Sequence, residues 1–360
     1  MNNEEIKNAF NQCTRFFNSH RSVNLKEEFL FLSANVSDDE MTEMYGSGKC
    51  IEDFENAVAD ILGKPKGVFM ISGTMAQPIA LRIWSDRKKN PNFGMHPSSH
   101  LELHEQKGYL YLHNLNGHLL GEFQRMLSLD DIKNCPTKLA AVIIELPQRE
   151  SGGILPSFEE LMGISKWCRA HDVILHLDGA RLWECGPYYK KSYKEICSLF
   201  DSVYVSFYKG LGAMAGAVLA GPEDFIHEAK IWQRRQGGNL YTLAPYIISA
   251  RASMEMRLGR MEAYYEKAKE VASILSSFDK IKIIPAVPQT NMMHIFFHGD
   301  LEKFEQASAK IAQEEKICIF RKLRPTDDTN IGKWELAVGD DLMNFSTEEI
   351  HRIFNKIINS

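Results

Sequence analysis

The sequence has no apolar run that approaches the length of a membrane span, so no transmembrane segment is expected. Its opening residues, Met1-Asn2-Asn3-Glu4-Glu5-Ile6-Lys7, lack an apolar signal core, and a cytoplasmic location is expected. No CxxC pair occurs. The seven cysteines are scattered and odd in number, which fits reduced thiols better than a disulfide framework. There is no surplus of positive charge: 42 Lys and Arg against 47 Asp and Glu leave a net charge of −5, so a nucleic-acid partner is not expected. There is no HExxH. His96, His100 and His104 recur every four residues, but Pro97 and the Ser98-Ser99 pair interrupt the helix that would align them, so no metal is expected. What remains is ordinary composition, 44% hydrophobic and 25% charged over 360 residues, enough for one large domain and a smaller one.

Apolar spacing predicts two short helices in residues 1–34, carrying Phe10, Phe16, Phe17 and Leu25, Phe29, Leu32. From 35 to 250 strand and helix patterns alternate. Strands are predicted at 66–71, 139–146, 173–177, 202–207 and 217–220, and helices at 51–62, from 72 onward, and at 157–171. That alternation predicts an α/β fold with a mostly parallel sheet covered by helices. A ligand is then expected in the crevice beyond the strand ends. A long connector helix over 243–276 leads into a small C-terminal α/β domain, giving an organisation of 1–34, 35–250 and 251–360.

Two charged residues stand at the ends of apolar runs. Asp178 closes Ile174-Leu175-His176-Leu177-Asp178, and Lys209 closes Val203-Tyr204-Val205-Ser206-Phe207-Tyr208-Lys209. A lone charge is costly to bury, so two of them suggest a bound group that needs both. Pyridoxal phosphate (PLP) has this requirement: a lysine to carry it and a carboxylate opposite its pyridine nitrogen. His176, two residues before Asp178, lies on the same strand face and is a candidate partner for Asp178 or the cofactor. Ser72, Gly73 and Thr74 fall at a strand-to-helix turn, where unpaired backbone donors suit a phosphate.

His176-Leu-Asp-Gly-Ala-Arg-Leu182 and Ser206-Phe-Tyr-Lys-Gly-Leu-Gly-Ala213 resemble the two signature stretches of the threonine aldolase and β-eliminating lyase family. That family is PLP-dependent and has the aspartate-aminotransferase-like fold, fold type I. Tyr45-Gly46, Ser72-Gly-Thr-Met75 and residues 100–105 follow the family order, and the likeness runs over roughly 35–350. The resemblance implies that Lys209 binds PLP covalently, Asp178 faces its ring nitrogen, and Ser72, Gly73, Thr74 and Ser206 hold its phosphate. It implies that His100 stacks on the ring near the substrate hydroxyl, that Arg181 holds the substrate carboxylate, and that Tyr45 lines the pocket. The implied reaction cleaves a β-hydroxy-α-amino acid, such as L-threonine or L-allo-threonine, to glycine and an aldehyde, in a homodimer or homotetramer. β-Elimination or aminotransferase-like chemistry on another amino acid is the alternative.

Three positions depart from the family pattern. Gln148 stands where aldolases often have a histidine, Glu335 where they have a late arginine, and Tyr241 where an arginine commonly reaches a neighbour's phosphate. Arg234 and Arg235 are candidates to supply the charge missing at Tyr241.

Overall fold

The computed structural model describes residues 3–20 and 23–360. It contains two compact units. The larger is Asn24–Glu150 with Ile154–Gly259; the smaller joins the N-terminal segment through Val23 to Ser151–Gly153 and Arg260–Ser360. The boundaries expected at 34 and 250 thus both fall inside the larger unit.

The larger unit is built on seven strands: β1 (Lys66–Met70), β2 (Asn92–Met95), β3 (Asn116–Leu119), β4 (Ala141–Glu145), β5 (Ile174–Gly179), β6 (Ser202–Ser206) and β7 (Ala217–Gly221). Their order in the sheet is β1-β7-β6-β5-β4-β2-β3. Neighbours run parallel except β7, which is antiparallel to both β1 and β6. The cause is connection length. The segment 207–216 between β6 and β7 is too short for a helical crossover, so the chain turns straight back. Lys209 sits in this turn and not at the end of a strand, as its apolar lead-in had suggested.

Helix Gly73–Lys88 starts where β1 ends, with Ser72 as its N-cap, and helix Phe158–Ala170 starts with a capping box from Ser157 and Glu160. Ala76, Ile79, Ile83 and Trp84 of the first helix bury against Tyr204 and Leu219 of the sheet. The helix expected over 243–276 is two helices, Ala244–Arg257 and Met261–Leu275, separated by a tight turn at Leu258–Arg260, where the two units divide.

The smaller unit holds an antiparallel sheet of β8 (Ile281–Ile284), β9 (Met292–His298), β10 (Arg324–Pro325) and β11 (Ile331–Ala337), in the order β10-β11-β9-β8. The N-terminal helix Asn3–Asn11 belongs to it. Ala9, Phe10 and Cys13 pack on Ala309 and Ala312, and Arg15–Phe16 pairs with Ile317–Cys318. A nine-residue helix is too short to persist without such packing. Among the described residues no helix is long and apolar enough to cross a membrane.

Candidate active site

Strand β5 delivers Asp178 to the middle of the sheet, fully enclosed. Its register partners are Glu145 on β4 and Tyr204 on β6. Asp178 Oδ1 accepts the Ala180 N–H at 3.1 Å. Burial raises the Asp178 carboxyl above the ordinary range, and the nearby Lys209 ammonium pulls it back down. Glu145 is pushed up to about 7, first by burial and then by the charge of Asp178. Its two oxygens accept the backbone N–H groups of His100 (3.3 Å) and Arg149 (3.2 Å). Lys209 is lowered from the usual amine value, chiefly by burial; Asp178 opposes this, while Arg181 and Arg149 add to it. The strand ends and the β6–β7 turn therefore gather two buried carboxyls whose pKa values are raised and a buried amine whose pKa is lowered.

The β5–β6 edge is pinned from several sides. Ser206 donates its hydroxyl to the Ala180 carbonyl at 2.6 Å, and Trp183 Nε1 donates to the Ser206 carbonyl at 2.8 Å. The turn carrying Lys209 is held by Arg257, which donates to the Leu211 carbonyl at 2.6 Å, and by Ser249, whose hydroxyl accepts the Met214 N–H at 2.9 Å. At the start of helix Gly73–Lys88, Ser72 Oγ accepts the Met75 N–H at 3.3 Å. Gly73 is required here: a Cβ would lie 1.9 Å from the Tyr204 hydroxyl. Thr74 is exposed beside it.

His100 opens a short helix, and its Nδ1 lies 2.9 Å from Oε1 of the buried Glu105. The second Glu105 oxygen is enclosed and has no hydrogen-bond partner. His104 packs its ring 5.0 Å from that of His100 and reaches Glu150 at 2.9 Å. His96 points elsewhere: its Nε2 meets the Glu122 carbonyl at 2.9 Å, and its Nδ1 faces Ser98 and Gln148. Gln148 also donates to Ser98 Oγ at 2.8 Å, so this side chain is committed within a buried polar trio. Arg181 sits at the β5 exit with Nη1 3.0 Å from Glu184 Oε1.

Other candidates lie apart from these contacts. His176 does not bond Asp178. It bridges Gln77 Oε1 and Ser202 Oγ, each at 2.7 Å, and burial holds its pKa down to about 3. It is a neutral link between helix and sheet. Tyr45, in a left-handed conformation, stands edge-on to the Tyr241 ring at 5.4 Å, with the Arg234 guanidinium 5.9 Å from its own ring centre. Arg235 lies over Trp232. Glu335 belongs to the smaller unit, opposite His294 across β9 and β11, with the two side chains 3.6 Å apart. Glu184, Arg149 and Arg257 escaped the sequence reading, while Glu105, legible there as a candidate to orient His104 or cap the helix, meets His100 instead. Glu145 had a visible signal, as a charge ending an apolar run in the same way as Asp178.

The β-eliminating lyase sequence profile matches residues 30–299. The chain belongs to this family. A solved structure from Listeria monocytogenes, provisionally named an L-allo-threonine aldolase, superposes with a TM-score of 0.94 at 44% identity over 99% of both chains. One from Exiguobacterium, provisionally named an aromatic amino acid β-eliminating lyase/threonine aldolase, gives 0.93 at 41%, again over 99% of both. The low-specificity L-threonine aldolase of Candida albicans is 33% identical over 259 residues, covering 66% of this chain and 67% of that protein. The architecture is that of fold type I, and the protein is a PLP-dependent lyase. The residues present fit that cofactor. An enclosed carboxylate and a buried amine of lowered pKa lie within electrostatic reach of one another, and a helix N-terminus begins at a glycine that leaves no room for a side chain.

Proposed function

We propose that this enzyme cleaves β-hydroxy-α-amino acids, with L-threonine and L-allo-threonine as first substrates, to glycine and an aldehyde. The observation that carries this reading is the His100–Glu105 pair beside the Asp178–Lys209 cluster. A carboxylate that accepts a hydrogen bond from Nδ1–H leaves Nε2 of the same ring as the acceptor. His100 Nε2 is thus suited to take the proton of a β-hydroxyl while the Cα–Cβ bond breaks and the aldehyde departs. Lys209 would hold PLP covalently, and Asp178 would supply the anion that keeps its ring nitrogen protonated. Ser72, Gly73 and Thr74 would hold the phosphate, and Ser206, whose hydroxyl donates to the Ala180 carbonyl, would join them only on releasing that bond. Bound PLP supplies an electron sink for the pair left on Cα. Arg181 receives the α-carboxylate in its planar fork and so fixes which Cα bond is presented for cleavage. Relatives named threonine aldolases support the same substrate class.

The alternative is β-elimination. It is favoured by Gln148, whose amide is bound to Ser98 and His96 where an aldolase often has a second histidine. A product panel separates the two. The PLP-loaded enzyme is incubated with β-hydroxy and β-substituted amino acids and the products are identified by mass. Glycine plus an aldehyde supports aldol cleavage. Pyruvate or another keto acid with ammonia and no glycine overturns it.

A homo-oligomer, dimer or tetramer, working in the cytoplasm on a free amino acid completes the reading. Helix Leu25–Ala34 buries none of its residues in the single chain, and Leu25, Phe29 and Leu30 on it are exposed. Met41, Met44, Tyr45 and Tyr241 of the same unit are exposed too. Apolar exposure on this scale supports a second copy covering Tyr45 and its neighbours. Sedimentation of a fully active monomer at micromolar concentration would refute it.

A further inference from the structure

Glu184 is the least exposed acid near the site that has no part in the chemistry described above. Its side chain is 0% exposed, and that of its partner Arg181 is 15% exposed. The pair closes over one turn, from the residue capping the short helix Leu182–Glu184 to that helix's last residue. An enclosed carboxylate is tolerated when a cation answers it, so Arg181 and Glu184 each fix the other's place. The same carboxylate meets a second element. Gly210 directly follows Lys209, and a Cβ built on it would lie 2.3 Å from Glu184 Oε1 and 3.1 Å from its Cδ. The carboxylate therefore fills the space that any side chain at position 210 would take. Across that turn, Arg257 and Ser249 hold Leu211 and Met214. The turn is anchored by these bonds and rests on Glu184 at Gly210.

We propose that Glu184 is a positioning residue: it sets the plane of the Arg181 guanidinium relative to the Lys209 turn and thereby determines which Cα bond of the bound amino acid is broken. This rests on the reading that Arg181 holds the substrate carboxylate. A guanidinium held by a rigid anion keeps its planar fork in one orientation, and a carboxylate bound by that fork has one orientation too. Loosening it leaves the cation in place, so substrate still binds, while the choice between the Cα–Cβ and Cα–H bonds becomes less strict.

The test uses the PLP-loaded enzyme with L-threonine and L-allo-threonine in deuterated water. Glycine formation reads Cα–Cβ cleavage, and deuterium entering Cα of the remaining substrate reads Cα–H cleavage. In Glu184→Gln, which keeps shape and loses charge, kcat is expected to fall on the order of 10- to 100-fold with KM little changed. The exchange-to-cleavage ratio should rise in step. Gly210→Ala keeps the carboxylate but displaces it, and should move the ratio in the same direction if the glutamine variant does not fold. Arg181→Lys separates the two layers of argument. If its KM is unchanged, the carboxylate reading of Arg181 fails. If its KM rises while Glu184→Gln and Gly210→Ala keep the wild-type ratio, the inference about Glu184 fails alone. A fall in kcat at constant ratio also overturns it, because a merely structural role would produce that result.

Discussion

Replacing Gly73 with alanine tests the cofactor cradle directly. On an exposed helix this change would stabilise by about 1 kcal/mol. Here the new Cβ would stand 1.9 Å from the Tyr204 hydroxyl, 2.3 Å from its Cζ and 2.9 Å from Cε2. Real Cβ contacts essentially never fall under 3.0 Å, so the hydroxyl must withdraw by about 1.1 Å or the helix start must lift by as much. Tyr204 has little room to withdraw. It is 2% exposed, its register partner is Asp178, and its hydroxyl lies 3.4 Å from that of Tyr208. Overpacking of this kind costs about 1–3 kcal/mol. If the helix start moves, the loss appears in PLP affinity as roughly 5- to 150-fold. If the tyrosine moves, it appears as a lower melting temperature of the cofactor-free protein. Titration with PLP followed by absorbance, together with thermal unfolding of the free protein, distinguishes the two. A Gly73→Ala protein with wild-type affinity and wild-type melting would refute the argument that this glycine is there for close approach.

Other outcomes follow from the same cluster. Borohydride reduction and peptide mapping should place covalent PLP on Lys209, and Lys209→Ala should lose it; label on a different lysine would refute the proposed core. His100→Gln should lower kcat by about 10²- to 10⁴-fold with PLP binding retained, and Glu105→Gln should lower it less, because the imidazole remains but its orientation is no longer fixed. A His100→Gln enzyme with near-normal turnover would remove this histidine from the proton transfer. The pH dependence has a definite sign. Glu145 is raised in the folded protein from 4.5 to about 7, so its favourable contribution is full below 4.5 and is lost as pH rises toward 7. Melting temperatures of the cofactor-free protein should therefore decline over that window, and Glu145→Gln should flatten the decline; an unchanged slope in the variant would show that Glu145 is not the group responsible.

The sequence by itself determined the alternation of strands and helices, the helix beginning near Ser157, the strand-to-helix turn at Ser72-Gly73-Thr74, and the pairing in kind of Asp178 with Lys209. These are local properties. Apolar runs, side-chain alternation and capping residues act within a few positions of one another, so they can be read along the chain. Tertiary structure decided the partners. His176 shares a strand face with Asp178 yet bonds Gln77 and Ser202, because the helix laid across the sheet puts Gln77 there. Glu145 became the neighbour of Asp178 through the β4–β5 register, which is set by long-range packing. The N-terminal helix joined residues about 300 positions away because it could not bury its apolar face alone. The space over Gly210 is taken by Glu184, a contact that exists only once the β6–β7 turn has folded back onto the exit of β5. Spacing along the chain carries no record of which distant side chain will occupy a cavity, and that occupancy is what shapes this site.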